Sequence, residues 1–323
     1  MRILLWHVHG SWTTAFVQGP HTYLVPVTPR QGPGRPRPRR HLRLARLRRR
    51  DVPPEQLRDT DIDLVVLQRP PTSSTSPGAG WAAAPAPTSP PSTSNTTRPA
   101  GPSPTPATRP LDHRGLTIVH VTYFNQLFWD CAKHTHHRHR ARHRRPRPPQ
   151  WTGHRERAAV VVNEPLRRGR TTGTDLLARF ARAAPLDVFG MRTHGIAHHL
   201  GLPEDRCHAR ELVQNELHRA MAACRMYLHP VRWTSLGLSL LEAMHLGMPV
   251  VALATTEVVE AVPPEAGVVS NRPDVLLDAV RGFIAEPGRA REAGRAARTA
   301  ALARYGLPRF LDDWDRLIKE VTR

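Results

Sequence analysis

Cysteine is scarce in this chain of 323 residues: Cys131, Cys207 and Cys224 are the only three, and none stands in a C-x-x-C spacing. An odd number with no such spacing implies neither a disulfide framework nor a zinc site, and a reducing cytoplasm is the expected compartment. Long hydrophobic runs are missing as well. The most apolar stretch, 235–253, is broken by Glu242, His245 and Pro249, so no membrane span is expected. The first residues run into His7, His9 and Gly10 rather than the apolar region of a secretory leader. Acidic residues are absent from three whole segments. Ten Arg in 28–50, two in 71–110 and seven Lys or Arg in 133–149 account for nineteen of the twenty net positive charges. The remainder is nearly neutral, so no nucleic-acid partner and at most peripheral membrane contact are expected.

What is present between those segments has the rhythm of an α/β protein. Residues 2–8 predict a buried first strand, with His9-Gly10-Ser11-Trp12 as the loop behind it. Residues 61–68 and 116–122 predict two more strands, the second leading into a helix that starts at Tyr123. From Trp151 the alternation is unbroken, with strands at 157–163, 186–190, 225–230, 250–253 and 268–269. Helices are predicted over 173–181, 211–223 and 274–286, the last entered through Pro273, and a final one from about residue 308 to 321. Strands and helices alternating at these lengths build a parallel sheet with helices on both faces.

Segments 28–50, 71–112 and 132–150 break that pattern. Residues 71–110 hold eleven Pro among Ser, Thr, Ala and Gly, a composition that cannot bury enough apolar surface to order itself. An insert of that length inside a compact domain nevertheless argues against a plain linker. Degenerate codons can be chosen so that the neighbouring reading frame of 71–99 spells an amphipathic helix, then a strand ending E-H-N-A-P. The same shift turns 139–149 into I-E-H-G-I-V-D-P-G-H. The three segments are therefore read as disordered or as frame-shifted pieces of the gene. The run His134-Thr135-His136-His137-Arg138-His139 offers imidazoles, but adjacent cations repel a metal and no carboxylate or Cys completes a shell, so no metal is expected.

The densest signal is 234–251. Gly237 precedes an apolar helix carrying Glu242, Gly247 stops that helix, and Pro249 leads into Val250-Val251. A helix N-terminus behind a glycine offers free amides and a positive dipole end to a phosphate, and a Glu in the following turn can accept ribose hydroxyls.

Glu242-Ala243-Met244, followed by Gly247-Met248-Pro249-Val250-Val251, resembles the C-terminal domain of the retaining GT-B glycosyltransferases that use nucleotide-sugar donors. Their pattern is a glutamate, seven residues, a second glutamate, Ala-Met and Gly-x-Pro-Val-Val, and the likeness runs from about Trp151 to the end of the chain. The resemblance implies that Glu242 binds the donor ribose and that the backbone of Gly237, Leu238 and Ser239 binds the diphosphate. Helix-dipole stabilisation, about 0.3–1 kcal/mol, is the alternative use for Glu242. Thr234 stands where the family's first glutamate contacts the donor sugar, and offers one hydroxyl there. Glu260 matches the glutamate of a Gly-Gly-x-Pro-Glu-like segment, with Thr256 and Glu257 in place of the glycines; a solvated acidic turn is the alternative. Arg167, Arg168 and Arg170 are the candidates to neutralise the diphosphate, or a solvated basic loop, while the family lysine falls on Thr172. His9, with His7 beside it, is the candidate N-domain histidine near the sugar, or a structural strand-end His.

The fold expected is α/β, GT-B, with two Rossmann-like doubly wound parallel-sheet domains facing a cleft. Residues 1–150 form the acceptor side, 151–305 the nucleotide-sugar domain, and 306–323 a helix packing back on the first domain. The reaction expected is retaining transfer from a nucleotide-sugar donor to a glycan, lipid or small-molecule acceptor, without metal or cofactor. A nucleotide-sugar-binding pseudoenzyme and a basic nucleic-acid-binding protein are the alternatives.

Overall fold

The computed structural model describes residues 1–6, 10–27, 48–68, 92–95, 117–128, 134–135 and 150–323. The chain divides into two compact units, Met1–Arg144 joined by Gly306–Arg323, and Arg145–Tyr305.

The first unit runs β1 (Arg2–Leu5), α1 (Gly10–Phe16), β2 (Thr22–Pro26), β3 (Arg49–Val52), β4 (Leu64–Leu67), β5 (Ser92–Asn95), β6 (Thr117–His120), α2 (Tyr123–Phe128) and β7 (His134–Thr135). All strands pair in parallel, in the order β3-β2-β1-β4-β5-β6-β7. Three expectations need correction here. The stretch read as a loop after β1 opens α1, because Trp12 and Phe16 fall one helical turn apart and stack at 4.6 Å inside the core. Part of the arginine-rich segment is β3, an edge strand in register with β2, where Arg49 pairs with Asp51 at 2.6 Å. Within the Pro- and Ser-rich segment, Ser92–Asn95 forms β5 between β4 and β6, so these four residues are ordered by sheet pairing despite their composition.

The second unit runs β8 (Arg155–Val161), α3 (Pro165–Arg168), α4 (Thr174–Ala183), β9 (Leu186–Phe189), α5 (Ile196–His199), β10 (Cys207–Arg210), α6 (Gln214–Ala223), β11 (Cys224–His229), α7 (Leu238–Leu246), β12 (Val250–Leu253), α8 (Val258–Ala261), β13 (Gly267–Ser270), α9 (Pro273–Ala285) and α10 (Pro287–Arg304). Its parallel sheet has the order β10-β9-β8-β11-β12-β13. Alternate residues face opposite cores. Val160 and Val251 meet Leu177, Val280 and Phe283 on one side, whereas Ala159 and Val250 meet Leu240, Met244 and Ala297 on the other. The helix expected from residue 211 begins at Gln214, after an extended Val213.

Helix α10 was not predicted, and its buried residues explain why: Ala290, Ala293, Gly294, Ala297 and Ala301 form a stripe with no large side chain. Small residues let it lie close to α7. A Cβ on Gly294 would stand 2.1 Å from the Gly247 carbonyl oxygen.

After Gly306 the chain returns to the first unit as α11 (Leu307–Val321). Phe310, Trp314, Leu317 and Ile318 fall on one helical stripe and join Ile3, Leu5, Trp12 and Tyr23 in a single core. Cys207 and Cys224 are free and buried, while Cys131 lies outside the described residues. No helix among the described residues is long and apolar enough to cross a membrane.

Candidate active site

In the second unit the strand order reverses direction between β8 and β11, so the loops leaving those neighbouring strands flank a crevice at the carboxyl edge of the sheet. The two loops are joined directly. The amides of Arg232 and Trp233 donate to the Thr171 carbonyl at 3.0 and 3.3 Å. Gly173 holds a left-handed φ of 72° against Pro230, whose carbonyl oxygen would be 2.0 Å from any Cβ placed there. The loop after β12 closes on the same place, with Thr255 Oγ1 donating to the Val231 carbonyl at 2.9 Å and the Glu257 amide to the Ser235 carbonyl at 3.4 Å.

The basic residues of the β8 loop are in three different states. Arg167 is fixed to Glu164, its Nε 3.0 Å from Oε2, and Arg192 reaches the other carboxylate oxygen at 3.0 Å. Hydrogen bonding from Arg167 holds the Glu164 carboxyl below its ordinary value. Arg170 lies 3.2 Å from Asp175, which is also gripped by Arg232 at 2.6 and 2.9 Å; that second guanidinium is the main cause holding Asp175 below the usual carboxylate range. Arg168 is partly buried and has no ion pair among the described residues, although its charge is among those that lower the Glu164 carboxyl.

Gly237 caps α7, with Leu238 and Ser239 as the first two helical residues and Gly247 closing the helix at φ 86°. The amides of Leu238 and Ser239 have no carbonyl four residues back within the helix, and no acid occupies the first turn. Beneath Gly237 lies His229, the last residue of β11, buried to 1% exposure. Its Nδ1 is 3.2 Å from the Tyr227 hydroxyl, which is 2.9 Å from Ser239 Oγ. Burial lowers the imidazole to about 4, so it is neutral near pH 7. One turn further along α7, Glu242 keeps 12% of its side chain exposed. Its carboxylate faces α6, accepting from Gln214 Nε2 at 3.2 Å, with His218 Nε2 at 3.3 Å from the other oxygen.

Residues 190–300 match the family described as Glycosyl transferases group 1. The chain carries a group 1 glycosyltransferase domain. No curated protein is matched. Among solved structures, Anabaena Alr3699/HepE in complex with UDP-glucose aligns with a TM-score of 0.72 at 13% identity, covering 99% of this chain and 100% of that one. Sucrose-phosphate synthase from Thermosynechococcus elongatus aligns at 0.66 and 14% identity, covering 99% and 98%. A glycosyltransferase from Rickettsia africae ESF-5 aligns at 0.68 and 12%, covering 100% and 98%. The fold of this glycosyltransferase is GT-B, with two parallel Rossmann-like sheets.

The structure brings Thr234, Gly237, Leu238, Ser239 and Glu242 onto the β11 loop and α7, and Arg167, Arg168 and Arg170 onto the β8 loop bonded to it. Glu260 is an exposed residue of α8, and its backbone carbonyl accepts from Arg304 at 2.5 Å. Thr172 is buried at 2% exposure and spends its hydroxyl on the Gly169 carbonyl and Thr174, both at 3.0 Å. Thr256 keeps a left-handed φ of 53°, the conformation a glycine favours, although it is not one. His7 and His9 lie outside the described residues, as does most of the 134–139 histidine run. The sequence reading missed Arg232, Asp175 and the Tyr227–His229 pair. The signal for the last was the alternation Tyr227, His229 in a buried strand that also carries Arg225.

Proposed function

We propose that this glycosyltransferase moves a sugar from a nucleoside-diphosphate sugar to a glycan, lipid or small-molecule acceptor with retention of the anomeric configuration. The observation that carries the reading is the convergence, at the strand-order reversal, of a helix N-terminus with an acid-free first turn and a guanidinium lacking a carboxylate partner among the described residues. The amides of Leu238 and Ser239 with Arg168 take the diphosphate, and stabilise it as it departs with developing negative charge. Glu242 takes the ribose, its carboxylate held in place by Gln214. Thr234 and His9 are assigned to the sugar side, and Glu260 to the donor. The site needs no metal and no cofactor, because amides and guanidinium supply the counter-charge. A relative in complex with UDP-glucose supports a UDP-sugar as the first donor to try.

The test is a thermal-shift panel of UDP-, ADP-, GDP- and dTDP-sugars on the full chain, followed by transfer assays in which proton NMR reads the anomeric configuration of the product. Stabilisation by one nucleotide series and a product of retained configuration are expected. No stabilisation by any donor would overturn the reading, and an inverted product would overturn retention. A second reading, donor binding without turnover, is favoured by Thr234 at the position of a carboxylate and by the buried, fully bonded Thr172 at the position of a lysine. Donor binding with neither hydrolysis nor transfer would decide for it.

A further inference from the structure

Tyr227 and His229 stand two residues apart on β11 and therefore share the face on which α7 lies. Their rings stack at 5.8 Å, and the path of polar atoms continues from His229 Nδ1 through the Tyr227 hydroxyl to Ser239 Oγ. The other end of the imidazole points at the helix cap. His229 Nε2 is buried and has no hydrogen-bond partner. A Cβ on Gly237 would lie 2.7 Å from Cε1 and 3.2 Å from Nε2, so the glycine's Cα–H groups fill the space beside it.

That neighbourhood fixes the tautomer. An N–H at Nε2 would be a buried donor with no acceptor, whereas a bare lone pair beside Cα–H groups loses much less. The proton therefore sits on Nδ1 and is donated to the Tyr227 oxygen. Burial keeps the imidazole uncharged and pushes the phenol up, so the tyrosine keeps a proton to hand on. Among the described residues its hydrogen-bond partners are His229 and Ser239, so with His229 donating, Ser239 must accept. The Ser239 hydroxyl is then left with its own proton directed away from Tyr227, on a partly exposed residue in the first turn of α7.

We propose that Tyr227 and His229 are positioning residues that impose one direction on this hydrogen-bond chain, making the Ser239 side chain, and not only its amide, a donor to an oxygen of the nucleotide diphosphate. This rests on the donor reading above and adds a side-chain contact to it. The chain also explains why position 237 must be glycine, since any larger residue would strike the imidazole that sets the direction.

The experiment is calorimetric titration of the full chain with UDP, ADP, GDP and dTDP, and with the matching nucleosides, in the wild type and in S239A, S239T, Y227F and S239A/Y227F. S239A is expected to weaken the preferred nucleoside diphosphate about tenfold and leave the nucleoside unchanged, the loss of one hydrogen bond to a charged oxygen. S239T should retain most of the affinity. Y227F should weaken binding less than S239A and add nothing to it in the double variant. Wild-type affinity in S239A, or full additivity of the two changes, would overturn the proposal while leaving the donor reading intact. Binding of no nucleoside diphosphate by the wild type would overturn both. A spectrum of nitrogen-labelled histidine with the His229 proton on Nε2 would overturn the assigned direction by itself.

Discussion

Replacing Gly173 by alanine tests whether the junction of the β8 and β11 loops is built as described. Two penalties add at this position. A left-handed φ of 72° costs a residue with a Cβ about 1–2 kcal/mol. The new methyl would also sit 2.0 Å from the Pro230 carbonyl oxygen and 2.7 Å from its carbon, backbone atoms that cannot swing aside as a side chain can, which adds about 1–3 kcal/mol of overpacking. The sum, about 2–5 kcal/mol, corresponds to a Tm lowered by about 4–20 °C for a unit of this size. Gly195→Ala is the matched control: its φ is 75°, but nothing lies within 4 Å of the added Cβ, so only the conformational part applies. Thermal unfolding of the two variants followed by circular dichroism isolates the clash as their difference, about 2–12 °C. If Gly173→Ala is as stable as Gly195→Ala, the loops are not pressed together and the site geometry argued from them falls.

Arg168→Ala should weaken nucleoside-diphosphate binding about tenfold to a hundredfold, the range for a charged hydrogen bond to phosphate, whereas Arg170→Ala should weaken it less because Arg170 lies 3.2 Å from Asp175; titration calorimetry separates them. His229 is lowered from 6.5 to about 4, so the unfolded chain binds the extra proton between those values and stability should fall as pH drops through that window, by roughly 3 kcal/mol. Denaturant unfolding at stepped pH reads this, and a Gln at position 229 should flatten the slope. Trp314→Ala should cost about 3–5 kcal/mol in unfolding of the first unit, since the ring packs edge-on against Trp12 at 5.5 Å and Phe16 at 5.0 Å. Resequencing the gene should reveal compensating frame changes around 28–50, 71–112 and 132–150, and an intact frame as given would remove that explanation.

The second unit was legible because its strands and helices differ in period. Residues 250–253 are apolar throughout, and 225–230 are buried on both faces although they include Arg225 and His229, which is what β12 and β11 require, and Gly237, Gly247 and Pro273 punctuate the helices by backbone geometry alone. Helix α10 was invisible for the opposite reason. Its contact with α7 works by the absence of side chains, so alanine and glycine at the spacing 290, 293, 294, 297 and 301 carry the packing while contributing almost nothing to hydrophobic periodicity. In the first unit, α1 has no cap signal and five small or polar residues in seven. Only the tertiary contact of Trp12 and Phe16 with α11, about three hundred residues away, makes it a buried helix.

The candidate site was legible as a motif but not as an electrostatic arrangement, and the difference matters for what the chain can do. Sequence alone offers Arg167, Arg168 and Arg170 as equivalent cations. The structure engages two of them, Arg167 with a Glu164 shared with Arg192 and Arg170 with an Asp175 shared with Arg232, so the two carboxylates offset only part of the positive charge of this loop. Thr172, at the family's lysine position, points its hydroxyl into the fold and contributes none. Arg168 is the one of the three with no carboxylate within ion-pair distance among the described residues. On the proposed assignment, Thr234 brings a neutral hydroxyl to the sugar side, where the family resemblance implies a carboxylate. On that assignment the helix amides and arginine hold the diphosphate, and the sugar side is the half left without a charge. Donor affinity and turnover are thus expected to separate in this protein, with binding retained at a site whose chemistry is weakened at one residue.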